Sequence, residues 1–173
     1  MYTTDGLFRI AKTFSVFSIG VMFFLIVLNN TTDYYTNYGF VEHVMKMDTT
    51  FPASNVHYRS MANPVIFHAG YILIISIEFV TAVLCLWGSW RMFRNVKNDA
   101  VSFHASKNMA VAGIISGVTI FFFGFEVIGG EWFVMWQSAT MNGLGSAERI
   151  VSFLVLVLLL LQLQESSRAD TAL

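Results

Sequence analysis

The sequence predicts an all-α membrane protein, a four-transmembrane-helix up-down bundle with an extracytoplasmic cap formed by loops 29–64 and 129–149. Three observations predict it. Of the 173 residues, 55% are hydrophobic and only 12% charged, against about 25% charged in ordinary soluble domains. Mean hydropathy is +0.62, and the apolar residues gather in long runs, without the alternation over about ten residues that a transmembrane barrel requires. A long polar interval separates the first two runs and a shorter one the last two, so the connections on one side are bulky. One domain suffices for this length.

The first span is 7–28, with Arg9 and Lys12 near its start, where long side chains snorkel to the interface. Asn29-Asn30-Thr31-Thr32 is no small-residue cleavage site, so the segment is expected to be a retained helix and not a signal peptide. The interval 29–64 is polar, aromatic and irregular, and too long to be a mere connection; it should fold on itself or cover something. The second span, 65–87, is interrupted only by His68, Ser76, Glu78 and Thr81. A basic stretch to Lys107 follows. The third, 109–128, is expected to end at the Gly129-Gly130 pair. Residues 150–163 alone would reach only about 21 Å as a helix, short of a hydrocarbon core of about 30 Å. Beginning the fourth span at about 144 and ending it at 164 lets it cross, and puts Glu148 and Arg149 in its first turns.

Seven Lys and Arg residues fall on the side of the termini (Arg9, Lys12, Arg91, Arg94, Lys97, Lys107, Arg168) and three on the other (Lys46, Arg59, Arg149). That asymmetry predicts cytoplasmic termini. A net charge of -1 offers no basic surface for nucleic acid. Cys85 is the single cysteine, so neither an intramolecular disulfide nor a thiolate cluster forms within one chain.

Counted from the start of its span, Glu78 lies about 20 Å deep, near the middle of the hydrocarbon. A carboxyl group there must face the bundle, protonated or paired, with Ser15, Ser18, Ser116 or Thr119 as candidate partners, or serve as a proton carrier. His68 is ten residues away, too far to share an ion with Glu78. With no second histidine in a span, bis-histidine haem is disfavoured. Depth matches Glu126 to Arg149 as an ion pair, with Glu131 a competitor for that arginine or for Arg59 or Lys46. Trp132 and Trp136 suit an aromatic belt or a lid. His43, Asp48 and His57 are metal-capable types at spacings that match no metal motif. The sequence carries no phosphate loop, nucleophile elbow or HExxH, and so no metal site or catalytic class is assigned.

The runs NNTTDYYTNYGFVEHVMKMDTTF (29–51), NPVIFHAGYILIISIE (63–78) and VIGGEWFVMWQS (127–138) resemble the bacterial small integral membrane proteins grouped as the domain of unknown function 2165. The resemblance covers nearly the whole chain and implies four spans in an inner membrane, with no assigned activity. Asp33, His43, Asp48, Arg59, His68, Glu78, Glu131, Trp132, Trp136 and Gln137 fall on its pattern. His57 does not, and Met141 and Leu144 stand where it has tryptophan and glutamine.

Three functions are open on these residues. The first is an accessory or scaffold protein that docks a larger membrane complex, or itself, through the cap. The second is a pocket in the outer half, lined by His68, Tyr71, Glu126 and the tryptophans, for a quinone, lipid or haem. The third is a proton-coupled carrier built on Glu78. The two outer segments lie on one side, so Glu131, Trp132 and Trp136 are expected to pack against 33–48.

Overall fold

A computed structural model describes residues 4–164; Arg168, one of the charges counted above, lies outside them. Helix α1 (Thr4–Thr32) runs one turn beyond the apolar stretch. Its last hydroxyls fold back onto its own carbonyls, Thr31 to Val27 O at 2.8 Å and Thr32 to Leu28 O at 2.7 Å. Asp33 leaves the helical region at φ -121°, and a second helix, α2 (Tyr34–Lys46), follows at once. The interval 29–64 is therefore half helical. Its polar residues hide an amphipathic pattern in which Val41 is buried and Val44 and Met45 are half-buried.

Helix α3 (Pro64–Asn95) starts on a strong signal: Asn63 accepts from Val65 N and proline holds the first turn. Asp99 caps the short α4 (Ala100–Ser106) in the same way. Helix α5 (Asn108–Val118) then continues as a π-helix, Thr119–Trp132, closed by Phe133 N to Ile128 O at 3.0 Å. The glycine pair does not end this helix. Gly130 instead lets α6 (Leu144–Gln162) approach, since a Cβ there would come within 3.0 Å of Leu144. Two 3-10 turns, His57–Arg59 and Met135–Gln137, complete the cap.

Four of these elements are long and apolar enough to cross a membrane: Thr4–Thr32, Pro64–Asn95, Ala100–Trp132 and Leu144–Gln162. They close a ring in which α1 packs on α3, α3 on α5, the α5–π rod on α6, and α6 on α1. At the α3–α5 crossing a side chain on Gly88 would strike the backbone of Ala110, so only glycine permits this distance. The π segment leans away from α3 toward α6, and α2 fills the wedge that this opens.

The end of the bundle opposite the cap, its base, carries cations that do not snorkel. Lys12 is 2% exposed and Lys107 3%. Lys12 Nζ donates to Leu163 O at 2.7 Å, Lys107 Nζ to Leu161 O at 2.9 Å, and Arg9 Nη1 to Asn98 O at 2.5 Å. The last carbonyls of a helix lack internal donors and carry partial negative charge. The end of α6 and the turn after α3 thus hold these cations inside.

Candidate functional site

A buried polar layer joins α1, α2 and α3. Glu78 is 2% exposed, and its Oε2 accepts from Asn30 Nδ2 at 2.7 Å. Asn30 Oδ1 in turn accepts from Asn37 Nδ2 at 2.9 Å, and Asn30 O from the Tyr71 hydroxyl at 3.2 Å. Ring contacts carry the layer on toward the cap. Tyr71 meets Tyr34 at 4.8 Å between centroids, and His68 stacks on Tyr38 at 4.2 Å. The Tyr34 hydroxyl lies 2.8 Å from His68 Nδ1. Burial, followed by Tyr35, pushes the Tyr34 phenol above its usual 10.0, so the hydroxyl stays protonated. Burial, followed by Glu42, raises Tyr38 likewise.

The expected serine and threonine partners of Glu78 are occupied elsewhere: Ser15, Ser18 and Thr119 each bond a carbonyl four residues back in their own helix. The height of Glu78 relative to α1 is set by two bonds. Asn30 lies at the end of α1, and the Arg9–Asn98 bond fixes the other end of the same antiparallel pair. From Arg9 to Asn30 is about 32 Å of helix, close to the whole hydrocarbon thickness of about 30 Å. Glu78 therefore stands about one bilayer core above the base cations, and the outer turns of α3 project beyond the end of α1 beside α2.

The second assembly is the cap seam. Arg59 Nη1 reaches Trp132 O at 3.3 Å and Glu131 O at 3.4 Å, and its guanidinium sits 4.9 Å from the Trp132 ring centre. Phe51 N donates to Gln137 Oε1, Ser138 Oγ to Thr49 Oγ1, and the Phe51 ring meets Trp136 edge-on. Beneath them Met47, Phe133 and Val134 form a small buried core. Met47 and Val134 both hold positive φ, 55° and 47°, a conformation that β-branched Val134 adopts only when its surroundings impose it. The two outer segments thus meet: Glu131, Trp132 and Trp136 contact Arg59 and Phe51, which lie outside 33–48, while Val44, Met45 and Met47 pack with Phe133 and Val134. Within 33–48 the polar groups serve local needs: Asp33 Oδ1 accepts from Thr36, His43 pairs with Asp48 at 2.9 Å, and Lys46 with Glu42.

The remaining expectations separate. Glu126 Oε1 is buried without a hydrogen-bond partner, Arg149 is exposed, and no ion pair joins them among the described residues. Depth matching fixes height but not rotation about the helix axis. An apolar hollow of about 160 Å³ lies between α2, α3 and the π segment, lined by Phe40, Val44, Ile74, Phe125 and Met135 among others. His68, Tyr71, Glu126, Trp132 and Trp136 do not line this hollow beneath α2. Among the described residues no three His, Cys, Asp or Glu side chains converge on a metal-sized site.

Asn30, Tyr34, Asn37 and Tyr38 were not singled out in the sequence. The available signal was their position: four hydrogen-bonding side chains at the junction of a span and an amphipathic helix, Asn30 in the last turn of α1 and the others in the first turns of α2. Comparison with curated proteins and with solved structures returns no match. The match to a family model over residues 8–164, nearly the whole described chain and all four apolar helices, shows that the protein belongs to the family described as predicted small integral membrane protein, DUF2165.

Proposed function

We propose that this integral membrane protein is an accessory or scaffold subunit that docks a larger membrane complex through its cap, with its termini in the cytoplasm of a bacterial cell. The rim of the cap seam carries the reading. Phe51, Tyr58, Trp132 and Trp136 are between 50% and 77% exposed, although the backbone beneath them is tied down by Arg59, Thr49 and Gln137. Rigid, half-exposed aromatics around an arginine are the residue types that dominate protein interfaces. A membrane-interface belt would use tryptophan and tyrosine too, but would have no need of a second segment bonded across to hold them.

Native purification from the source membrane tests this. The expected result is a stoichiometric partner that is lost with Tyr58→Ala or Trp132→Ala and kept with Leu159→Ala, a lipid-facing control. Isolation of the protein alone under conditions that preserve neighbouring complexes would overturn it. The apolar hollow under α2 favours a second reading, a bound alkyl or isoprenoid tail. Its lining offers no histidine or cysteine for haem iron. Lipid extraction from the purified protein followed by mass spectrometry separates the two readings.

A further inference from the structure

We infer that the groove along the base end of α3 is a binding site for one anionic phospholipid of the leaflet that faces the termini. The groove, about 830 Å³, runs between α3 and the start of α5, with Met109 on its far wall. Val83, Trp87, Trp90 and Arg94 follow one another at steps of four, three and four, so they form a single stripe down α3, and Asn98 lines the groove from the turn beyond it. The stripe grades in polarity. Val83 and Leu84 are at the membrane side, Trp87 and Trp90 follow with 61% and 58% exposure, and Arg91, Arg94, Asn95 and Asn98 lie toward the base.

That order matches a phospholipid laid parallel to the helix. Its acyl chains would lie on the valine and leucine, its glycerol region against the indoles, and its phosphodiester among the guanidinium groups and amides. Tryptophan and arginine in this sequence are the interfacial pair expected at a headgroup boundary. Charge decides the headgroup. Among the described residues no carboxylate lines the groove, and the nearest one in sequence, Asp99, is committed to Ser102 N and Oγ. Among the described residues Arg91 and Arg94 make no ion pair; Arg94 only overlies the Trp90 ring at 5.9 Å. Elsewhere at this end Lys12 and Lys107 donate to helix carbonyls. The two groove arginines therefore face the lipid with their charge uncompensated, and a zwitterionic headgroup would bring an ammonium group against them.

The test uses the full chain purified in lipid-poor detergent and native mass spectrometry with added phosphatidylglycerol, phosphatidylcholine or inorganic phosphate. Phosphatidylglycerol is expected to be retained preferentially. Arg91→Gln and Arg94→Gln should each weaken it about five-fold, the effect of one basic residue near an anionic surface. Trp87→Ala should weaken it as well, while Lys97→Gln, an equal charge loss outside the groove, should leave it unchanged. Unaltered unfolding temperatures of the two arginine variants show that the site, not the fold, was changed. Equal retention of phosphatidylcholine, an equal loss with Lys97→Gln, or displacement of the lipid by inorganic phosphate would each overturn the proposal.

Discussion

Asn30→Ala tests the polar layer most directly. The substitution removes the donor that lies 2.7 Å from Glu78 Oε2 and the acceptor for Asn37. It leaves the Tyr71 bond, which goes to the Asn30 backbone. A buried acceptor stripped of its donor costs about 1–3 kcal/mol. Between membrane helices the measured pair energies are lower, about 0.6 kcal/mol on average and about 1.7 at most. Asn37 is exposed and should find water, so little is lost there. The expected cost is thus about 1–2 kcal/mol. Glu78→Gln keeps an oxygen for Asn30 and should cost under about 0.5 kcal/mol if the carboxyl group is held neutral. The Asn30→Ala and Glu78→Gln pair should then be additive, whereas Asn30→Ala combined with Glu78→Leu, which removes the acceptor, should show a coupling energy of about 1 kcal/mol. Reversible unfolding in mixed micelles, followed by tryptophan fluorescence, supplies these numbers. A stability change under about 0.3 kcal/mol for Asn30→Ala, or additivity of Asn30→Ala with Glu78→Leu, would refute the view that this contact holds Glu78.

Four other outcomes are expected. Gly88→Ala should destabilise the bundle by about 1–3 kcal/mol, because the new methyl group meets the Ala110 backbone. Gly145→Ala, where nothing lies within 4 Å, should be neutral or stabilising by up to about 1 kcal/mol in the same unfolding assay. Hydrogen bonds from the Ser102 side chain and backbone hold the Asp99 carboxyl group below its usual 3.8. Its contribution to anchoring α4 is therefore present above that value and is lost as pH falls through the lower, folded value; amide exchange across 100–106 should accelerate there, and Asp99→Ala should abolish the dependence. With Cys85 replaced by alanine, Ile72→Cys should react with a membrane-impermeant maleimide from the cap side and Phe79→Cys should not. Protection of both would return Glu78 to the middle of the bilayer.

Much of the bundle was legible because a bilayer core imposes one length on every span, and four apolar runs of that length leave few alternatives. What the runs could not convey is where they slide against one another. Counting inward from the start of α3 assumed that all spans begin at the same height. The Asn30–Glu78 and Arg9–Asn98 bonds set a different register, because the polar end of α1 carries the one amide that the carboxyl group needs. The cap was legible as a meeting of two segments, since both had to lie on one side, but not in its partners. Arg59 reaches backbone carbonyls, which no side-chain pattern announces, and α2 was disguised by tyrosines and asparagines that a soluble amphipathic helix would seldom use. Those residues make sense only at a height where apolar packing and hydrogen bonding are needed together. The polar layer, α2 and the outer turns of α3 therefore have to be read as one unit, and the same reasoning explains why the base cations are buried. At each end of the bundle the helix ends, and not the spans, hold the residues that fix height.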